Sequence, residues 1–271
     1  MYGEGRVISM VELWSMGEKG KMERYFEING GGHNVRCKLY CKDLRSVSRA
    51  VVFCHGFGGH KDNSAAEKLA QRLLSKFKDV GLITFNWPCH GDDVKKKLCL
   101  DDCMAYLDLV VGYVRDTLGA ELYCNATSFG GYLTLLYLTR RGNPFRKIVL
   151  RCPAVPMHEV LTRAIVDEKS REQLSRGREA LVGFDRKVPV SPAFLEELKA
   201  NDVREGDFLD WAEDILILHG TADEIVPFGS AAAFSEEKLI DLIPVEGADH
   251  RFRHPGTMET AMKEIVNFFG F

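Results

Sequence analysis

Leu122-Tyr123-Cys124-Asn125-Ala126-Thr127-Ser128-Phe129-Gly130-Gly131-Tyr132-Leu133 runs from a short apolar stretch through a small-residue turn into a helix-like segment. Residues 126–130 read Ala-x-Ser-x-Gly, close to the Gly-x-Ser-x-Gly elbow, in which a strained strand-to-helix turn lifts a serine oxygen above the edge of a sheet. Small residues at 126 and 130 let the flanking backbones approach to van der Waals distance, and Gly131 widens that tolerance. Ser128 is the lead candidate nucleophile. A second reading makes it a helix N-cap, a role that serine often fills, and a five-residue pattern alone does not separate the two.

Outward from this stretch, apolar runs alternate with helical patterns. Upstream, Ala50-Val51-Val52-Phe53-Cys54 has the continuous apolar character of a strand buried on both faces, and it ends at the glycine-rich His55-Gly56-Phe57-Gly58-Gly59. Asn63 or Ser64 can cap the helix that follows, in which Ala65, Ala66, Leu69, Ala70, Leu73, Leu74 and Phe77 recur at helical spacing. The same rhythm predicts strands over 80–85, 121–126 and 147–152, with helices over 101–118 and 129–140. Ahead of it, residues 22–28 and 33–40 flank Asn29-Gly30-Gly31-Gly32 and read as a hairpin. Residues 1–20 show no clean period and read as a weakly anchored start.

Between 154 and 210 the rhythm breaks into charged, helix-prone pieces punctuated by Pro156, Gly183, Pro189 and Pro192. A segment of this length between strands is seldom a bare loop, so it reads as an inserted cap on a core made of 1–153 and 211–271. Asp214-Ile215-Leu216-Ile217-Leu218-His219-Gly220 then resumes the pattern as a buried strand, followed by a helix over 230–238, a strand over 239–244 and a closing amphipathic helix over 257–269. Strands alternating with helices predict an α/β fold whose mostly parallel central sheet carries helices on both faces.

Composition removes several classes. With 271 residues, 45% apolar content and a formal charge of -3, the chain has the make-up of a soluble globular domain and no basic footprint for nucleic acid. No apolar run reaches the roughly 18 residues that a membrane span requires, and the N-terminus lacks the apolar core of a signal peptide. The eight cysteines fall within apolar segments, where a thiol acts as a small hydrophobe, and point to a reducing cytoplasm. Cys37/Cys41 and Cys99/Cys103 have i, i+4 spacing rather than the tighter knuckles of zinc sites, so no metal or other cofactor is expected.

A serine hydroxyl needs a base within hydrogen-bond reach and a third group to hold that base. His219-Gly220-Thr221-Ala222-Asp223-Glu224-Ile225-Val226-Pro227 places Asp223 just past one buried strand, and Glu246-Gly247-Ala248-Asp249-His250-Arg251-Phe252 places His250 past the next. The carboxyl ends of parallel strands share one edge of the sheet, where ligands collect, so Ser128, Asp223 and His250 are expected to converge there. Asp249 and Asp214 compete with Asp223, and His254 competes with His250. Asp249 adjoins the base too closely to face it. His55 and His219, at strand ends, read as structural residues bonded to backbone.

This order of serine, acid and histidine, with an elbow, a His-Gly loop after an early strand and an inserted cap, resembles the α/β-hydrolase superfamily. Within it, cap placement and the 219–227 and 247–250 segments look most like small cap-bearing carboxylesterases, the group that includes cinnamoyl and feruloyl esterases and monoacylglycerol lipases. The resemblance implies a serine carboxylesterase acting on a small or medium acyl ester through an acyl-enzyme, with backbone N–H groups of Phe57 and Phe129 as the oxyanion hole. Trp87, Leu161 and Phe184 are candidates for the pocket lining, with ordinary core positions as the competing reading. An acyltransferase, thioesterase or serine peptidase using the same residues, and a non-catalytic ligand-binding protein, remain as alternatives. Association as a homodimer is left open. Ala126 stands where the elbow has its first glycine, and Thr127 and Phe129 replace the His and Gln often found beside the serine in feruloyl esterases.

Overall fold

Three antiparallel strands and a parallel block join in one nine-stranded sheet in the computed structural model, which describes residues 13–17 and 21–271. Strands β1 (Leu13–Gly17), β2 (Lys21–Gly30) and β3 (His33–Cys41) form the antiparallel edge, with Gly31 and Gly32 at positive φ in the β2–β3 turn. Of the weakly anchored start read over 1–20, residues 13–17 pair with β2 and the rest lie outside the described residues.

The chain then alternates: β4 (Arg49–Cys54), α1 (Ser64–Lys76), β5 (Val80–Phe85), α2 (Leu100–Gly112), β6 (Glu121–Thr127), α3 (Phe129–Arg141) and β7 (Ile148–Arg151). Asn63 caps α1, its Oδ1 accepting from Ala66 N at 2.8 Å. The helix predicted over 101–118 is α only to Gly112 and continues through 113–118 in wider turns, ending at Gly119 with φ 63°. Further along come β10 (Ile215–Gly220), α7 (Phe228–Lys238), β11 (Asp241–Val245) and α8 (Thr257–Phe269).

Strand order is β1-β2-β3-β5-β4-β6-β7-β10-β11, parallel from β5 to β11. The direction of winding reverses at β4, between β5 and β6. Such a reversal opens a crevice beyond the carboxyl ends of the strands, where this fold class binds ligands. Ser128, the 221–227 loop and the 246–252 loop all leave the sheet at that edge.

Both sheet faces are apolar because the central strands carry no polar alternation. On one face Val51, Tyr123, Val149 and Leu218 pack against Leu69 and Leu73 of α1 and Ile265 and Phe269 of α8. On the other, Val52, Cys124, Leu150 and Ile217 meet Met104 and Leu107 of α2, Leu135 of α3 and Phe234 of α7.

Between β7 and β10 the chain forms α4 (Met157–Val160), α5 (Glu168–Ser175), a hairpin of β8 (Ala180–Val182) and β9 (Val188–Val190), and α6 (Pro192–Ala200). Leu161, Phe194 and Phe208 are buried in the core cluster of the α3 side. The hairpin was not legible in the sequence: its strands are three residues long and β9 contains Pro189, too short and too broken for a period of two to register.

Candidate active site

Ser128 sits between β6 and α3 with φ 54° and ψ -117°, a conformation that ordinary L-residues avoid and that costs of order 1–3 kcal/mol. Neighbouring backbone holds it there. Ser128 N donates to Arg151 O at 3.0 Å, and Ser128 O accepts from Tyr132 N at 3.0 Å and Ala154 N at 3.1 Å. Although it occupies the N-cap position of α3, its side chain makes no capping hydrogen bond. Its Oγ instead lies 3.1 Å from His250 Nε2.

The turn closes only because residue 130 is glycine. A Cβ there would fall 2.6 Å from His55 O and closer still to Cys54 O, both backbone atoms of β4 and its loop. Gly130→Ala is therefore expected to destabilise the fold by roughly 3 kcal/mol, a fall in Tm of about 6–12 °C, because neither carbonyl can yield as a flexible side chain would. A melting curve within about 2 °C of wild type would refute this account of the elbow.

His250 Nδ1 lies 2.8 Å from Asp223 Oδ2. An ionised carboxylate only accepts, so Nδ1 carries the proton and Nε2 presents its lone pair to the Ser128 hydroxyl. Backbone contacts fix the imidazole loop: His250 N donates to Glu224 Oε2 at 3.1 Å, and Arg151 Nη1 donates to His250 O at 3.2 Å.

Asp223 has no exposed side-chain surface. Its Oδ1 accepts from Ile225 N at 2.9 Å and Val226 N at 2.8 Å. Its Oδ2 takes His250 and a second imidazole, His219 Nε2, at 3.3 Å. Burial alone would raise its pKa, yet the donors of His219 and His250 hold the carboxyl well below the usual carboxylate range. His219 Nε2 also donates to Val226 O at 2.9 Å. The sequence reading of His219 as a backbone-bonded residue thus misses its second role beside the acid. The i, i+4 spacing from His219 to Asp223 was the available signal, but in a loop spacing carries no fixed geometry.

The competing residues have other partners. Asp249 pairs with Arg253 and Asp214 with Lys147. His254 offers its carbonyl to Thr257 at the start of α8. Cys152, His219 and Asp223 bring ligand atoms within 4.8 Å of one another, a spacing that a metal ion could use. Burial pushes the Cys152 thiol well above its ordinary value, and His219 Nε2 is already a donor to Val226 O. Cys152 and His219 are therefore hydrogen-bonding neighbours of the acid.

The Phe57 and Phe129 rings meet edge to face at 5.7 Å beside the serine. Phe129 N–H is the first of α3, among the four that a helix leaves without an intrahelical acceptor. Phe57 follows Gly56, whose Cα comes so close to Ser128 that a Cβ would lie 3.2 Å from the serine Cβ. Phe129 thus adjoins Ser128 along the chain, and Phe57 adjoins it through Gly56.

A cleft of about 1000 Å³ opens over Ser128 and His250, lined among others by Phe57, Thr127, Arg151, Ile165 and Phe184. Phe184, 49% exposed, projects from the tip of the β8–β9 hairpin. Trp87 and Leu161, the other two pocket candidates, lie elsewhere: both are fully buried and neither lines the cleft. Trp87 Nε1 donates to His55 O at 3.0 Å, so the indole props the 55–59 loop from behind.

His90, beside Trp87 in the same loop, is buried between His55 and the Phe57 and Phe129 rings. Its Nδ1 donates to Pro88 O at 2.8 Å, and burial pushes the imidazole down from 6.5 to about 4, against the opposing effects of that hydrogen bond and of Asp93. Between these values the unfolded chain binds a proton that the folded chain does not. His90's stabilisation is therefore complete above about pH 6.5 and lost as pH falls towards about 4, a loss of about 3 kcal/mol. His55, also lowered by burial, adds in the same direction. Urea midpoints measured from pH 7 to pH 4 should fall, and His90→Gln should flatten that fall; an unchanged slope would refute the assignment.

The prolyl oligopeptidase family (Peptidase S9) matches residues 84–270, more than half of the chain and a span that contains Ser128, Asp223 and His250. The chain belongs to the prolyl oligopeptidase family. No curated protein sequence matches it significantly. Among solved structures, Est1E from Butyrivibrio proteoclasticus, with ferulic acid bound, superposes with a TM-score of 0.72 at 19% identity, covering 90% of this chain and 97% of that one. The monoacylglycerol lipase of Paleococcus ferrophilus gives 0.58 at 23% identity, covering 81% and 93%. XC6422 from Xanthomonas campestris, described as a serine hydrolase without a lid, gives 0.60 at 16% identity, covering 94% and 97%. This member of the prolyl oligopeptidase family has the α/β-hydrolase fold. None of its described helices is long and apolar enough to cross a membrane.

Proposed function

We propose that the chain is a serine carboxylesterase that hydrolyses a small or medium acyl ester through an acyl-enzyme. The observation that carries this reading is the hydrogen-bonded series from Ser128 Oγ through His250 to Asp223, opening on a cleft. In the mechanism it supports, Ser128 attacks the ester carbonyl while His250 Nε2 takes its proton and passes it to the departing alcohol. Asp223 keeps the proton on Nδ1 and stabilises the imidazolium. Phe57 and Phe129 N–H groups receive the oxyanion, and one such donor is worth about 3–4 kcal/mol in related chemistry. Water then repeats the sequence on the acyl-enzyme.

Residues 154–210 act in this proposal as a cap that contributes Ile165 and Phe184 to the substrate pocket. All eight cysteines are free, which favours a reducing compartment such as the cytoplasm. A second reading, a serine peptidase with the same three residues, draws its support from the family match. A fluorophosphonate probe should label folded wild-type protein and not Ser128→Ala. p-Nitrophenyl acetate and butyrate should be turned over faster than an acyl-CoA or an aminoacyl-prolyl anilide. Absence of labelling would remove the serine mechanism, and turnover of the anilide alone would replace esterase with peptidase.

A further inference from the structure

One buried cation in the cleft has no counter-ion among the described residues. Arg151, the last residue of β7, is 8% exposed, and the one hydrogen bond its guanidinium makes among the described residues goes to a carbonyl, His250 O. Among the described residues it forms no salt bridge. The carboxylates that act on it from a distance, Asp223 and Asp249, are held by His250 and His219 and by Arg253 respectively. Burial without a paired charge lowers its pKa, yet a guanidinium stays protonated in any folded protein. Phe252 lies under it, with the guanidinium carbon 5.1 Å from the ring centroid, which fixes its plane.

A second, independent observation lies beside it. Thr127 is the register partner of Arg151 across the β6–β7 ladder, and partners on neighbouring strands project from the same face of the sheet. Thr127 Oγ1 is buried with no hydrogen-bond partner, and both side chains line the cleft. Both are tied to the nucleophile, Thr127 by preceding it and Arg151 by accepting the Ser128 N–H on its carbonyl. The acids that line the cleft are already matched: Asp185 by Arg251, Glu224 by Arg253 and Asp62 by Lys61. Exposed Lys68 and Arg186, also on its wall, form no ion pair among the described residues.

A buried guanidinium with free donors, a neighbouring hydroxyl without a partner and a surplus of positive charge make a receptor for a planar anion. We infer that the preferred substrate is an ester carrying a carboxylate, which Arg151 and Thr127 bind beside Ser128. The inference rests on the esterase reading and narrows it to a substrate class. Arg151 and Thr127 are specificity residues in this scheme: they hold the anion, and the reacting carbonyl stays with Ser128.

Two matched ester pairs test it. 4-Nitrophenyl hydrogen glutarate against 4-nitrophenyl hexanoate places the carboxylate on the acyl side. 4-Butyryloxybenzoate against 4-butyryloxybenzamide places it on the alcohol side. In one pair, wild-type kcat/KM should favour the anionic member by about tenfold or more, the size of one charge-assisted hydrogen bond. That ratio should collapse in Arg151→Gln, return in part in Arg151→Lys and fall in Thr127→Val. A ratio within one variant is insensitive to general losses, including any from the Arg151 contact to His250.

Binding gives a readout without turnover. Ser128→Ala protein should show saturable thermal stabilisation by 4-butyryloxybenzoate or by glutarate, absent when Arg151→Gln is added. Neutral esters turned over with neither anionic member preferred would overturn this inference and leave the esterase reading standing. Stabilisation by the anions in a protein whose serine does not label would uphold the anion site and remove the esterase reading. No stabilisation by either anion would refute the site.

Discussion

Ser128→Ala is expected to lower kcat on p-nitrophenyl esters by about three to six orders of magnitude while leaving the fold in place. The two halves of this expectation have separate causes. The substitution removes one oxygen from a residue that is 6% exposed and whose side chain makes no capping bond to α3, so no structural hydrogen bond within the helix is lost. Backbone bonds to Arg151, Tyr132 and Ala154 hold the unusual φ, and alanine keeps all three. Tm should shift by no more than a few degrees. Chemically, no other hydroxyl among the described residues is hydrogen-bonded to His250 Nε2, and attack by water without an acyl-enzyme is left to the oxyanion donors alone. A variant that retains more than about one-tenth of wild-type kcat would show that Ser128 is not the nucleophile.

How far the sequence reaches towards this site differs from residue to residue, for physical reasons. The parallel sheet was legible because strands such as 50–54 and 215–218 are buried on both faces and so read as unbroken apolar runs. Once the sheet is parallel, its carboxyl edge follows, and Ser128, Asp223 and His250 are placed on one rim without knowledge of strand order. The Ser128 cap reading was decided by the hydroxyl's direction, which depends on residue 250. Contacts that depend on register stayed hidden. Thr127 faces the same way as Arg151 only because β6 and β7 are neighbours in that exact alignment, and nothing within either strand encodes it. Trp87 and Leu161 illustrate a different limit. A large apolar side chain near the rim can turn towards ligand or towards core, and the choice rests on neighbours such as His55 O, which receives the indole N–H.

Asp223→Asn isolates the electrostatic part of the arrangement, and kcat/KM on the same esters is expected to fall by about 10⁴. The carboxylate faces four N–H groups: Ile225 and Val226 backbone on Oδ1, and His250 and His219 on Oδ2, the last a longer contact whose proton is shared with Val226 O. Asparagine can keep its carbonyl oxygen towards the two backbone donors, which turns the NH₂ group towards two imidazole N–H groups. Donor then faces donor. His250 relieves the conflict by moving its proton from Nδ1 to Nε2, and in that tautomer it donates to Ser128 Oγ and cannot take the serine proton. Ground-state binding should change little, so the loss should fall on kcat, and fluorophosphonate labelling should slow by a comparable factor. Stability adds an independent check with a defined sign. A carboxyl held well below its ordinary value stabilises the fold at pH above the unfolded value of about 3.9 and loses that contribution as pH falls through the folded value. Asp223→Asn should therefore melt lower than wild type at pH 7, and the difference should narrow at strongly acidic pH. Activity within tenfold of wild type, or a melting difference that widens as pH falls, would show that Asp223 does not hold the imidazole in its working tautomer.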